Sequence, residues 1–176
     1  MKNKVIAQIK STSFIGWQTR ELIWTISLIT ASIIAPAMLA HTPANQWITG
    51  TIVNLILFSA AYRLPLANAF MVAIFPSSVA LLRGLLPAPM AMMIPYIIFS
   101  NITLITTFYF TKKNPLGGII GASLVKFFIL YASTLFLANA LNSKLVFMFS
   151  WPQLATALAG GVIFAGILKI VNKKSK

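Results

Sequence analysis

Acid is almost absent from this chain: fourteen Lys and Arg residues face one acidic residue, Glu21, and Asp does not occur at all. A single carboxylate cannot form the pair that general acid/base chemistry needs, and without Asp no Ser/His/Asp set can be assembled. Cysteine is missing too, which excludes disulfides, thiolate zinc sites and cysteine-held iron–sulfur clusters. His41 is the one histidine, so a resident metal ion is poorly supplied with ligands and none is expected. A phosphate-cradling loop is lacking as well. The nearest approach, Gly161 through Gly166 to Lys169, has no Gly-Lys-[Ser/Thr] ending and falls inside an apolar run, where it reads as a helix-packing ridge. The chain is expected to be no enzyme and to hold no cofactor; any ATP hydrolysis must come from another polypeptide.

What the chain has in abundance is apolar length. Hydrophobic residues make up 59% of its 176 positions, more than a soluble domain of this size can bury. A bilayer core about 30 Å thick takes helices of roughly 20 such residues, whose backbone groups bond within the helix. Six spans are predicted, over residues 22–40, 47–62, 66–82, 89–110, 116–141 and 152–171. The fold class is all-α: an integral membrane bundle of residues 22–171, preceded by a polar segment (1–21) and followed by a basic tail (172–176). The segment 1–21 reads as a short interfacial helix, with a cleaved signal peptide as the competing reading.

The cations fix an orientation. With six spans, Lys2, Lys4, Lys10, Arg20, Arg63, Lys112, Lys113, Lys169, Lys173, Lys174 and Lys176 fall on one side, and only Arg83 and Lys144 on the other. Eleven against two is a positive-inside pattern, so both termini are expected in the cytoplasm. The net charge of +13 is accounted for by these helix-end collars and their attraction to anionic lipid; no nucleic acid partner is expected.

One cation breaks the pattern. Lys126 lies deep in the fifth span, where insertion costs about 2.5–3.5 kcal/mol. Such residues face the bundle interior and mark solute or ion pathways, or else, neutral or paired with carbonyl groups, lock two helices together. With no mid-membrane acid in the chain, a charged Lys126 needs an anion from elsewhere, and a bound solute would provide one. Other polar groups are expected around it: Asn54 and Asn101 within spans, Asn139 and Asn142 at the outer end of the fifth, Gln153 at the start of the sixth, and Arg83 and Lys144 as the outer cations. Trp151 and His41 would stand at the mouth, although Trp47 and Trp151 also suit an interfacial belt and His41 also suits a solvated loop. Each amide taken singly reads equally well as an interhelical hydrogen bond. Pro36, Pro76 and Pro95 lie inside predicted spans and mark places where a helix near a cavity would break. Small residues recur every fourth position, at Ser27, Ala31 and Ala35 and at Ala157, Gly161 and Ala165, and internal packing is their default reading.

Six helices, basic tails and the Ala-x-x-x-Ala of the first span (Ala31-Ser-Ile-Ile-Ala35) together resemble the substrate-binding S component of energy-coupling factor (ECF) transporters. In detail the chain is similar to a bacterial branch of such proteins sometimes labelled "iron hydrogenase", at His41–Asn54, at Leu86–Asn101 with its Met-Ile-Pro-Tyr and Ser-Asn, and at Ser150–Gly161. A chain without cysteine cannot hold a hydrogenase cluster in the usual way, so that label is rejected on chemistry. The resemblance implies capture of a small, vitamin-like solute, for which Lys126 suggests an organic anion, at the outer face of a bacterial plasma membrane. It also implies toppling within a complex that contains a transmembrane coupling subunit and two ATPases. Ala31 and Ala35 would pack on the coupling subunit, and Lys126, Asn101, Asn54, Gln153, Arg83, Trp151 and His41 would form the solute site, beneath a lid made by the loops after the first, third and fifth spans. The histidine-rich N-terminus of the family's cobalt and nickel variants is replaced here by Met1-Lys-Asn-Lys4, so a metal cargo is not implied. The rival readings are a self-contained permease or channel, and an assembly protein with no ligand.

Overall fold

A computed structural model describes residues 19–39, 45–82, 88–137, 141 and 143–174. Eight helices lie among them: α1 (Thr19–Leu39), α2 (Asn45–Arg63), α3 (Leu66–Leu82), α4 (Ala88–Ala91), α5 (Ile94–Thr111), α6 (Pro115–Phe136), α7 (Ser143–Met148) and α8 (Trp151–Lys174). Six are long and two are single short turns, and no strand occurs among the described residues. Helices α1, α5, α6 and the Leu145–Lys173 stretch that contains α8 are long and apolar enough to cross a membrane. The protein is a membrane-embedded helical bundle.

The remaining long helices fall short for different physical reasons. Helix α3 spans only 17 residues. Helix α2 carries Asn45, Gln46, Asn54, Ser59 and Arg63, and its position explains how it tolerates them. It packs on α1, α3, α5 and α8, so most of its surface meets protein and not lipid. Helix α1 is the opposite case: its buried residues are Thr25 and Ser32 alone, and its aliphatic side chains largely face outward.

Proline and asparagine set several boundaries. Leu64 and Pro65 separate α2 from α3, and Pro65 cannot continue a helix through its missing N–H. Between α5 and α6, Asn114 caps the second helix by accepting a hydrogen bond from the Gly117 amide at 3.3 Å, with Pro115 in the first turn.

The expected spans need four corrections. The predicted 89–110 span is not continuous: α4 ends at Ala91, Met92 and Met93 turn, and α5 begins at Ile94 with Pro95 in its first turn. Pro95 therefore starts a helix, where its missing donor costs nothing, and does not break one; Pro36 and Pro76 do lie inside α1 and α3. The predicted 116–141 span ends at Phe136, ahead of the polar Asn139 and Asn142. The expected connection from 142 to 151 contains α7. At the chain ends, Thr19–Glu21 begin α1 and residues 172–174 extend α8, while the expected interfacial segment up to residue 18 lies outside the described residues.

Helices α2 and α8 run parallel in close contact. A Cβ on Gly160 would stand 2.7 Å from both the Thr51 carbonyl oxygen and the Leu55 amide nitrogen, so only glycine lets these backbones meet. Gly161 faces Ile119 and Phe58 in the same way. Of the two small-residue ridges, Ala157 and Gly161 are buried and Ala165 is partly so, as internal packing requires. The other ridge is different: Ser27 and Ala31 are exposed and Ala35 is half-buried, so the first-span ridge does not pack internally.

Two apolar clusters divide the core. One gathers Phe58, Phe108, Phe164 and Ile119 with aliphatic residues of α2, α3 and α5. Phe58 meets Phe108 edge-on at 5.0 Å and Phe108 meets Phe164 edge-on at 5.5 Å, which makes an aromatic plug. The other gathers Met93, Leu130, Leu141, Leu145 and Phe149, where α7 and the ends of α5 and α6 come together. Arg63, Lys112 and Lys169 lie beyond the first cluster, at what we call the basic end.

Candidate functional site

A polar layer lies between these clusters. Asn54 stands one turn before Phe58 on α2, Asn101 two turns before Phe108 on α5, Thr156 two turns before Phe164 on α8, and Lys126 one turn before Leu130 on α6. All four side chains are buried. The aromatic plug closes the layer toward the basic end, and the Met93–Phe149 cluster covers it toward the other.

The Lys126 ammonium donates to Asn54 Oδ1 and to Asn101 Oδ1, each at 2.7 Å. Helix α6 packs on α5 and α8, so the lysine side chain must cross to α2 to make its bond with Asn54. Helices α2, α5 and α6 are thereby tied at one point.

The Asn54 amide is aimed by its own neighbours. Its Nδ2 donates to the Gly50 carbonyl one turn back at 2.8 Å and makes a longer contact of 3.5 Å with Thr156 Oγ1. With the nitrogen engaged on that side, Oδ1 is left facing the cation; the flipped amide would set oxygen against the Gly50 carbonyl. Thr156 donates to the Gln153 carbonyl at 3.2 Å and is free to accept from Asn54. It comes this close because Gly50 lacks a Cβ, which would lie 3.0 Å from Thr156 Oγ1. Glycines of the α2–α8 contact thus help set the geometry of the lysine's acceptor.

Both acceptors of the lysine are neutral amides. They stabilise an ammonium by dipole and hydrogen bond but do not cancel its charge. Glu21, the only acid in the chain, is in the first turn of α1. On the same face of α6, three residues before Lys126, Ser123 is fully buried and its Oγ has no hydrogen-bond partner. Its hydroxyl is polar capacity that the fold leaves unused. Among the described residues, no group of three or more His, Cys, Asp or Glu side chains could hold a metal ion.

Of the residues expected in one site, Lys126, Asn54 and Asn101 come together. Gln153 takes a different position. It is half-buried, and its Nε2 reaches the Met148 carbonyl at 3.3 Å, an acceptor it shares with Gln46 Nε2 at 2.8 Å. These two glutamines tie α7 to α2 and α8 at the cover of the layer. Trp151 is 69% exposed, with its ring 5.7 Å from that of Phe127, and points outward. Arg83 and His41 lie outside the described residues, as do Asn139 and Asn142. Thr156 and Ser123 were not legible as members, because hydroxyls are common in membrane helices and neither position carries a distinguishing pattern. No protein-family profile, curated protein or solved structure matches the chain.

Proposed function

We propose that this protein is a membrane solute-binding subunit that captures a small organic anion, and that it works as the S component of an ECF-type importer in a bacterial plasma membrane. In this reading both termini are cytoplasmic, and the basic end faces the cytoplasm. The observation that carries it is the Lys126 amino group, buried within the bundle on two neutral amide oxygens with no acid beside it. A carboxylate or similar anion placed against Lys126 would pair with it, and the Ser123 hydroxyl would offer an orienting hydrogen bond, while the Asn54 and Asn101 oxygens hold the lysine from the other side. The Met93–Phe149 cluster covers the layer, so entry requires the α4 and α7 region to move aside.

Coupling would use the outward-facing ridge of α1. Ser27, Ala31 and Ala35 leave a shallow strip on which a coupling subunit's helix could lie close. Ala31→Trp is expected to abolish co-purification with the coupling subunit while leaving the melting temperature of the isolated protein within a degree or two, because Ala31 is exposed on the outer face of α1. Uptake of radiolabelled organic anions into proteoliposomes tests the whole reading. Uptake is expected only when coupling and ATPase subunits are present; uptake by the protein alone would instead identify a permease.

A second reading rests on the same bonds. Because the ammonium is already held from two helices, the polar layer also serves as an interhelical clasp, the arrangement expected of an assembly protein without a ligand. Saturable stabilisation by an anion separates the two readings.

A further inference from the structure

A second site lies at the basic end, far along the bundle from Lys126. Side chains of α1, α2 and α8 line a groove of about 150 Å³ there. Its walls are apolar: Leu28 from α1, Tyr62 from α2, Phe164 and Leu168 from α8. At its mouth the Arg63 guanidinium lies over the Trp24 ring, 5.1 Å from the centroid. The groove opens on the side of the bundle, where lipid is its natural neighbour.

We propose that this groove is a phospholipid site selective for an anionic headgroup, with part of one acyl chain in the groove and the phosphate on Arg63. The lining supplies the two chemistries such a lipid needs. Aliphatic and aromatic side chains would hold the chain, and the exposed Arg63 guanidinium would meet the phosphate. A guanidinium binds phosphate through paired donors, and its seat on Trp24 fixes the plane of that fork. Charge complementarity selects the anion. Arg20, Lys169 and Lys173 flank the groove in sequence, and Glu21, three residues before Trp24, is the only opposing charge. Pockets between membrane helices that carry such an excess of cations are the usual sites of anionic lipid headgroups. A zwitterionic headgroup would bring its own ammonium toward Arg63 and lose part of that gain. This inference does not depend on the solute reading, because none of its residues belongs to the Lys126 layer.

Native mass spectrometry of the full-length protein, released from detergent after exchange into equal amounts of phosphatidylglycerol and phosphatidylcholine, tests it. The wild type is expected to retain one phosphatidylglycerol about fivefold in preference to phosphatidylcholine. Arg63→Gln should bring that ratio close to parity. Ile167→Trp, at the half-exposed rim of the groove, should reduce retention of both lipids by filling the space while leaving Arg63 in place. Equal retention of the two lipids by the wild type would overturn the proposal. So would a phosphatidylglycerol preference that survives Arg63→Gln, since that charge reading would then belong to the other basic residues. A lipid-free dimer as the dominant species would also overturn it, by assigning the groove to a second copy of the chain. Melting temperatures of both variants, within about 2 °C of wild type for surface changes of this kind, keep a folding defect from being mistaken for lost lipid.

Discussion

Lys126→Ala is expected to be among the most damaging single substitutions in the chain, costing about 3 kcal/mol of stability. It strands the Asn54 and Asn101 oxygens in a dry layer and opens a space where the lysine stem had been, and each effect is worth about 1–3 kcal/mol. The loss should not be read as the worth of a charge. Lys126→Met keeps the stem volume and leaves only the stranded oxygens, so it should be milder. Replacing all three residues by apolar ones, as in Lys126→Met with Asn54→Leu and Asn101→Leu, is expected to return close to wild-type stability, because the cost lies in broken pairs and not in missing polarity. Chemical unfolding of these proteins, with Asn54→Leu and Asn101→Leu alone alongside, in mixed micelles checks this, and the coupling should appear as marked non-additivity. Equal, additive losses would mean that the three side chains do not act as one network.

The second large effect is expected at Gly160. Any side chain there is driven into the α2 backbone, so Gly160→Leu should cost about 3 kcal/mol or more and broaden the gel-filtration peak of the purified protein. Gly166 is the internal control. It lies on the same helix, but a Cβ there meets nothing within 4 Å, and Gly166→Leu should be nearly neutral. The consequence reaches the polar layer. Separating α8 from α2 withdraws Thr156 from Asn54 and loosens the amide that holds Lys126, so even the milder Gly160→Ala should weaken any ligand that depends on the cation. If Gly160→Leu and Gly166→Leu behave alike, the close α2–α8 contact is not the one described.

How far the sequence could be read depended on the kind of signal. The six long helices were legible because apolar length is a strong, local property; Pro115 punctuates it clearly, whereas the boundary around Arg63–Pro65 carried the weakest signal. The fourth span was read too long because Ala88–Ala91 is as apolar as the helix that follows; what separates them is a turn at Met92–Met93, which composition does not reveal. Lys126 was legible because a cation in an apolar run is costly, and Asn54 and Asn101 because amides in such runs need partners. That these three meet depends on how α2, α5 and α6 are arranged around one another, which follows from glycine-permitted contacts such as Gly160 on Thr51 and Leu55. Gln153 illustrates the limit: its type suited the site, but one helical turn was enough to give it to the Met148 carbonyl. The ridge on α1 could not be assigned inward or outward from spacing alone, since Ala157-x-x-x-Gly161 has the same spacing and faces the core.

The most direct test of an uncompensated cation at the centre of the bundle is thermal melting of the purified protein against a panel of small organic carboxylates and phosphates, with Lys126→Met alongside. At a concentration 100-fold above its dissociation constant, a specific anion adds about 2.7 kcal/mol to stability. The expected result is a saturable rise of several degrees in the wild type for one class of anion and no rise in Lys126→Met. An identical rise in both proteins, or none in either across the panel, would contradict the assignment of Lys126 as the anchor of a solute site and leave the three-helix clasp as its whole role.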